Sequence, residues 1–282
     1  MDVVASPSVR KLARERGVDI EQLALRLGRV SIAREDVLGA RTVHDSPWET
    51  DHELYGPVSI EPLDRIARTA SARLVAAQQH IPAVTHHGSA DLTRIEDARA
   101  LLKAKGTRIT ALSFHIAILA RCLGDFPRFN ASISADGKSL IFKHYVHIGI
   151  AVDTPHGLMV PVIRDTDKKG IPELSLELLD VSERARARRV RPEEFGGASM
   201  TISSLGGIGG EAFTPIINPP EVAILGISQA GIRPVWDGAA FSPKMVVPLD
   251  LSYDHRVING ADAARFLKRY CELVRNPDDL LT

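Results

Sequence analysis

The segment around His255 combines residue types that could perform acid–base chemistry. A strand-like stretch ends in Asp254-His255-Arg256, and Asn259-Gly260 then turns the chain into its last helix. A histidine at a strand end, before a glycine turn, can present its ring in a cleft, and imidazole titrates near neutral pH, where a general base is most useful. The same pattern is also typical of an ordinary surface or core histidine. Arg256 beside Asp254 is expected to form a structural ion pair.

A second candidate lies where a predicted strand enters a glycine-rich turn, in MTISSLGGIGGEAF at residues 200–213. The segment lacks the Gly-Lys-Ser/Thr ending of a phosphate loop and does not fit the dinucleotide fingerprint. No glycine precedes either serine by two residues, as a nucleophile elbow requires. Ser203 and Ser204 are therefore strand-end hydrogen-bonding groups or, in a functional interpretation, a hydroxyl that donates to an oxyanion.

The other histidines do not suggest a metal site. His86-His87, His144 and His147 lie in strand-like stretches, and neither an HExxH spacing nor a cluster of acids accompanies them. We therefore predict no metal.

Composition excludes several classes of function. Lys+Arg and Asp+Glu both number 35, so no net charge attracts nucleic acid or an anionic membrane. No apolar run approaches the roughly 20 residues of a membrane helix, and the N-terminus has no secretory pattern. Cys122 and Cys271, the only two cysteines, each lie in an apolar helical pattern, which predicts buried thiols in a reducing compartment. A cytoplasmic location is predicted.

The elements that position these residues begin with a small unit at residues 1–40. Ser6 can cap a helix with Pro7 at its first position, and a second short helix is predicted at about 34–40. This two-helix module buries too little to be stable without support. The polar segment 41–58 predicts a linker or an extended arm, in which Trp48 and Tyr55 would be anchors.

Residues 59–282 predict one mixed α/β domain, with a mixed sheet that carries helices on one face. Pro62 starts a predicted helix that stops before Pro82, and Pro172 opens another that reaches Arg189. The remaining predicted elements are helices at 94–104, 110–123 and 260–274, strands at 199–203, 221–228 and 243–252, a hairpin turning at Asp136-Gly137, and a strand-rich stretch from Tyr145 to Ile163.

Long, ordered segments carry a family resemblance. They are DHRVING (254–260), TISSLGGIGGEAFTPIINPPEVAILGIS (201–228), YVHIGIAVDTPHGLMVPVIRD (145–165) and PVWDG (234–238). Together they resemble the acyltransferase components of 2-oxoacid dehydrogenase complexes, and the wording is most similar to pyruvate-complex acetyltransferases of proteobacteria. Residues 5–40 resemble the peripheral subunit-binding domain of that family.

The resemblance implies a fold similar to chloramphenicol acetyltransferase, in a homotrimer with active sites between subunits. It implies acetyl transfer between S-acetyl-dihydrolipoamide and coenzyme A, with the lipoyl group supplied by another domain or chain. His255 would be the general base that takes the proton from the coenzyme A thiol, and Ser203 of the neighbouring subunit would donate to the oxyanion. The alternatives are succinyl or branched-chain acyl transfer, a non-catalytic scaffold, and a detoxifying acetyltransferase of the same fold that acts on a hydroxyl.

The resemblance also implies partners. Arg10 and Arg14 match the basic pair that docks the 2-oxoacid decarboxylase and dihydrolipoamide dehydrogenase. However, LRLGRVS (25–31) replaces the family's glycine-rich loop, so partner binding and a vestigial element both stay open. Leu280 and Leu281 would plug a pocket on an adjacent trimer and build a cubic or dodecahedral shell, whereas composition alone fits a frayed tail equally well.

Two further departures from the family affect the chemistry. Asn259 stands where the family motif usually has an aspartate, and an amide can hold a hydrogen bond but cannot carry charge or accept a proton. No segment offers a lysine on a tight hairpin turn, as a lipoyl domain would. Either the chain is a truncated piece, or the acyl carrier sits on another polypeptide.

Overall fold

The computed structural model describes residues 3–16, 18–40, 52–107, 109–155 and 157–280. The chain divides into two compact units, Met1–Val75 and Ala76–Thr282, and the division falls within helix α4 (Arg65–His80). The predicted limits of the linker, 41–58, stay a prediction. No helix among the described residues is both long enough and apolar enough to cross a membrane.

The described residues of the first unit form three α-helices ahead of α4: α1 (Pro7–Glu15), α2 (Ile20–Leu27) and α3 (Arg34–Gly39). The predicted start of α1 is confirmed, because the Ser6 side chain accepts a hydrogen bond from the Val9 amide at 3.3 Å. α1 and α3 are the two predicted helices, and α2 is an addition between them. A small core joins the three: Val9, Ala13, Leu23, Ala24, Ile32, Val37 and Ala40.

The predicted loop at 25–31 is partly wrong. Leu25 and Leu27 belong to α2 and need no left-handed backbone, since Gly28 supplies it with a φ of 66° at the end of the helix. The chain then closes onto α3 through an Arg29–Asp36 ion pair of 2.5 Å. A local hydrogen-bonded turn therefore occupies the position of the family's glycine-rich loop.

The start of helix α4 differs from expectation, and part of the predicted arm is helical. α4 begins at Arg65 instead of Pro62, because the Asp64 carboxylate accepts from the Ala67 amide at 2.7 Å and so caps it. Within the predicted arm, His52–Tyr55 forms a 3-10 turn in which Tyr55 is 82% exposed. Most of the Tyr55 side chain is therefore uncovered by the described residues, and Trp48 lies outside them.

In the second unit the described residues form four further α-helices and nine strands. The helices are α5 (Thr93–Ala104), α6 (Ala111–Asp125), α7 (Ile171–Arg186) and α8 (Gly260–Arg275). The strands are β1 (Ala83–Asp91), β2 (Ala131–Ile133), β3 (Leu140–Phe142), β4 (Ile148–Ala151), β5 (Val162–Ile163), β6 (Met200–Ser204), β7 (Ala223–Ile227), β8 (Gly231–Trp236) and β9 (Phe241–Asp254).

A seven-stranded sheet organises this unit, and it is mixed, as predicted. Its order is β1-β9-β7-β6-β4-β5, and β8 pairs with the first half of β9. β4, β6 and β7 run parallel to one another, whereas β9 is antiparallel to β1, β7 and β8. The sequence analysis placed His86-His87 in a strand-like stretch, which is β1, but it gave that strand no bounds and did not predict β8. Each pairs only with β9, and neither shows the continuous apolar run of a central strand.

The two faces of the sheet differ in chemistry. Val247, Leu249, Leu251 and Tyr253, alternate residues of β9, join the main core together with buried residues of α5, α6, α7 and α8. On the opposite face of β7, Ile224 packs in a small cluster with Ala77, Ile81 and Ile217. That second face also buries several polar side chains: Thr201, Asp250 and Ser252.

Candidate active site

The end of β9 presents His255 to solvent. Its backbone amide donates to the Pro82 carbonyl at 3.1 Å, which ties the strand end to the start of β1. Its ring lies 5.9 Å, centroid to centroid, from the ring of Tyr253. The side chain is exposed in the single chain. A second molecule can therefore reach the imidazole without any rearrangement.

Asp254 and Arg256 form the predicted structural ion pair around His255. Arg256 Nη2 donates to Asp254 Oδ2 at 2.6 Å, and Arg256 Nε donates to both carboxylate oxygens. Asp254 is 2% exposed, and its amide donates to the Val222 carbonyl at 2.8 Å. The pair and this backbone bond hold the strand end rigidly, so the direction of His255 is set by its neighbours.

Asn259 caps helix α8. Its side-chain Oδ1 accepts from the Asp262 amide at 2.8 Å, and its backbone is extended, as an N-cap requires. In the described part of the chain Asn259 Nδ2 has no hydrogen-bond partner. The cap explains why α8 starts at Gly260, and the amide nitrogen is left free to donate to a ligand.

Ser203 lies on the polar face of the sheet, in a row that crosses three other strands. It pairs with Gly226 of β7, Gly226 pairs with Asp250 of β9, and Asp250 pairs with His87 of β1. A Cβ on Gly226 would lie 2.9 Å from Phe213 Cζ and 3.1 Å from Asp250 Cβ. Only glycine lets the Phe213 ring pack between the serine and the carboxylate.

Asp250 is the buried charge of this row. At 1% exposure, its Oδ1 lies 2.6 Å from His87 Nδ1, and its Oδ2 accepts from the Phe213 amide at 3.2 Å. The Ser228 hydroxyl also approaches Oδ2, at 3.4 Å. These bonds attach the glycine-rich turn that follows Ser203 to the centre of the sheet.

Within one chain His255 and Ser203 do not meet. The register places Ser203 level with Asp250, and His255 lies five residues further along β9. At about 3.4 Å per residue the two levels are roughly 17 Å apart along the strand. Both side chains can flank one reacting atom only if they come from different copies of the chain.

Sequence analysis missed one buried acid near this strand end. Glu221, at 4% exposure, receives a hydrogen bond from Thr201 Oγ1 at 2.9 Å and one from Asn218 Nδ2 at 3.0 Å, both on Oε1. Burial raises the pKa of Glu221 to about 7, although these two bonds oppose the rise. A single acid between two prolines and an apolar strand, as in PPEVAILG at 219–226, was the available signal.

The remaining predicted residues lie apart from the strand end. Arg10 and Arg14 are exposed on α1, and the Arg10 guanidinium donates to the Val3 and Ala5 carbonyls at 2.6 and 3.3 Å. Leu280, which looked exposed in sequence, is half-buried against the main core and lines a cavity of about 520 Å³. Leu281 lies outside the described residues.

The structure places His147 in ordinary contacts. His147 Nδ1 accepts from the Asp165 amide at 2.9 Å, and its ring packs beside Tyr145. Among the described residues no three His, Cys, Asp or Glu side chains gather in a geometry that could hold a metal ion.

Comparison with known proteins gives a family for this arrangement. Residues 56–282 match the model described as 2-oxoacid dehydrogenases acyltransferase (catalytic domain), and residues 3–30 match the e3 binding domain. The acetyltransferase component of the pyruvate dehydrogenase complex from Pseudomonas aeruginosa is 42% identical over 99% of this chain and 55% of its own length. That of Azotobacter vinelandii is 43% identical over 96% of this chain and 46% of its own length. The chain thus spans about half the length of the curated relatives it matches.

Solved structures agree. The chain is similar to Azotobacter vinelandii dihydrolipoamide acetyltransferase, solved in an investigation of one serine, one histidine and one asparagine in its catalytic mechanism. The TM-score is 0.82 at 45% identity, over 84% of this chain and 100% of that one. The cubic core of the pyruvate dehydrogenase multienzyme complex gives the same values. These matches, together with the sheet and the histidine at the strand end, show that the chain belongs to the family of 2-oxoacid dehydrogenase acyltransferases.

Proposed function

We propose that the chain transfers an acetyl group between S-acetyl-dihydrolipoamide and coenzyme A, as the core of a pyruvate dehydrogenase-type complex. One observation carries this proposal: the relatives at 42% and 43% identity are acetyltransferase components of pyruvate dehydrogenase complexes. The exposed His255 ring at a rigid strand end supports it, since the reaction needs an accessible base.

The catalytic residues follow from spacing. In the Azotobacter vinelandii protein the investigated serine precedes the histidine by 52 positions, and the asparagine follows it by four. Ser203, His255 and Asn259 have the same two separations. This match supports Ser203 over Ser204 as the oxyanion donor. It also aligns Asn259 with an asparagine of the relative. An asparagine in place of the usual aspartate is therefore compatible with the reaction.

The reaction then proceeds by proton transfer and acyl exchange. His255 takes the proton from the coenzyme A thiol, whose pKa lies near the ~8.5 of an ordinary thiol. The thiolate attacks the carbonyl carbon of the acetyl thioester and forms the new C–S bond, and the Ser203 hydroxyl donates to the resulting oxyanion. Collapse breaks the C–S bond to the lipoyl sulfur, which receives the proton held by His255.

The site is built between two copies of the chain, in a homotrimer. The separation of roughly 17 Å along the strands between the levels of Ser203 and His255 supports this, because one chain cannot supply both groups to one carbon atom. The likeness to the cubic core of the pyruvate dehydrogenase multienzyme complex supports assembly of trimers into a shell, with Leu281 and the part of Leu280 that its own core leaves uncovered as the contact. Deletion of residues 279–282 is expected to release smaller particles in sedimentation.

The N-terminal unit docks dihydrolipoamide dehydrogenase and the 2-oxoacid decarboxylase. The match of residues 3–30 to the e3 binding domain supports the first of these partners. Arg14 is the better candidate contact, since the Arg10 guanidinium already binds two carbonyls of its own unit. Pull-down of each purified partner by wild type, Arg10→Ala and Arg14→Ala measures the two contributions separately.

The protein works in the cytoplasm. Cys122 and Cys271 are free and buried, and burial raises the pKa of their thiols to about 12 and about 11. Such thiols suit a reducing compartment. Fractionation of the source cells measures the location.

The proposal is tested by turnover. Wild type is assayed with coenzyme A against acetyl-, succinyl- and isobutyryl-dihydrolipoamide, and the acetyl donor should give the highest kcat/KM. Ser203→Ala should lower kcat by about 10²–10³, His255→Ala should abolish measurable transfer, and the matched control Ser204→Ala should stay near wild type. A preference for another acyl group would assign a different substrate, and the absence of any transfer would identify the chain as a non-catalytic scaffold.

A further inference from the structure

A cavity of about 280 Å³ opens beside the strand end that carries His255. Asp254 and Arg256, the two neighbours of His255 in sequence, both line it. The rest of its wall is mostly apolar: Ala76, Ala77, Ile81, Ile133, Pro219, Pro220 and Val222. This volume is at the lower end of small-molecule sites, so the cavity suits a narrow, largely methylene arm.

Glu221 supplies this wall with an unsatisfied acceptor. Both described hydrogen bonds to its carboxyl group, from Thr201 and Asn218, reach Oε1, and in the described part of the chain Oε2 is buried without a partner. A buried polar atom without a partner costs free energy unless a ligand or water satisfies it. The cavity is therefore incomplete without a donor.

The other polar groups of the cavity are already engaged or turned outward. Both oxygens of Asp254 accept from Arg256, and the guanidinium of Arg256 is held by that pair. His80, the remaining polar residue of the wall, is exposed at the end of α4. Among the described residues that line this cavity, Glu221 is thus the one with a buried side-chain oxygen that lacks a partner.

We propose that Glu221 binds the arm of a thiol substrate, its Oε2 accepting a hydrogen bond from a secondary amide N–H while the apolar wall packs against methylenes. The inference rests on the proposed acyl transfer. The pantetheine arm of coenzyme A and the dihydrolipoyl-lysine arm share this chemistry of methylenes and secondary amides. The Val222–Asp254 backbone bond keeps Glu221 next to the residue that precedes His255. An arm held there leads toward the imidazole.

The test is Glu221→Gln, which keeps the shape and the oxygen facing Thr201 but presents an NH2 donor to the cavity. KM for one of the two thiols, coenzyme A or dihydrolipoyl-lysine peptide, should rise about 10-fold or more, with kcat changed much less. The thiol whose KM rises identifies the arm. Asn218→Ala is the matched control, because it removes one bond to Oε1 and leaves Oε2 in place, so both KM values should stay near wild type.

A second measurement separates binding from a structural role. The amide N–H of the affected arm is removed, by N-methylation of the dihydrolipoyl amide or by an ester in place of the pantetheine amide. Wild type should lose about 10-fold in KM with the analogue, and Glu221→Gln should show no further loss. Equal losses in both proteins, or unchanged KM values in Glu221→Gln, overturn the inference. An inactive wild type would instead overturn the proposed acyl transfer.

Discussion

At the scale of single residues, the proposed chemistry uses the few polar side-chain groups that structural hydrogen bonds and ion pairs leave without partners. Asp254 is fully occupied by Arg256, and Asp250 by His87, Phe213 and Ser228. Among the described residues around the end of β9, the His255 ring, Asn259 Nδ2 and Glu221 Oε2 are groups that structural contacts leave available. Two buried acids that look alike in sequence thus have different roles. Asp250, within β9, stabilises the sheet, whereas Glu221, just before β7, lines a cavity.

Asn259 allows its two roles to be separated. Asn259→Asp keeps the oxygen that caps α8, so the thermal midpoint should stay near wild type, but it removes the free Nδ2 donor, and kcat should fall. Asn259→Ala removes both groups and should also cost about 1 kcal/mol of stability. Turnover and thermal unfolding of both variants measure this. A large gain in kcat for Asn259→Asp would show instead that the amide is a handicap.

At the scale of elements, α6 and α8 are joined by a buried polar contact. His115 of α6, 2% exposed, places Nδ1 2.7 Å from the hydroxyl of Tyr270 on α8. Burial lowers the pKa of His115 from 6.5 to about 4. The contact fixes how two helices of the main core pack, and the burial of His115 makes that packing sensitive to acid.

The sign of this sensitivity follows from linkage. His115 becomes protonated below about pH 6.5 in the unfolded chain, but only below about pH 4 in the folded chain. Stability from this group is therefore complete above pH 6.5 and is lost as the pH falls through that window, by about 3 kcal/mol in all. Chemical unfolding of His115→Gln should show a flatter pH dependence than wild type between these values, and Tyr270→Phe should retain the wild-type slope. Parallel curves for wild type and His115→Gln would contradict the assignment.

At the scale of the whole molecule, the active site is proposed to need two copies of the chain, and this can be tested by complementation. Ser203→Ala supplies an intact histidine, and His255→Ala supplies an intact serine. Random mixed assembly of two inactive variants should restore about a quarter of wild-type activity, because each site draws one residue from each of two neighbours. Co-expression with two different affinity tags gives the mixed particles. Mixtures that stay inactive would require both residues to act within one subunit.

Features that depend on neighbours along the chain could be predicted from the amino-acid sequence. Ser6 and Asn259 start helices through side chains that reach amides three residues away, and the ordered motifs around Ser203 and His255 were enough to indicate the family. Tertiary structure alone decided the register that sets Ser203 level with Asp250 and leaves His255 five residues beyond. It also decided the pairing of edge strands β1 and β8 with β9, and the free oxygen of Glu221. Strand pairing and burial join residues far apart in the chain, so no local pattern specifies them.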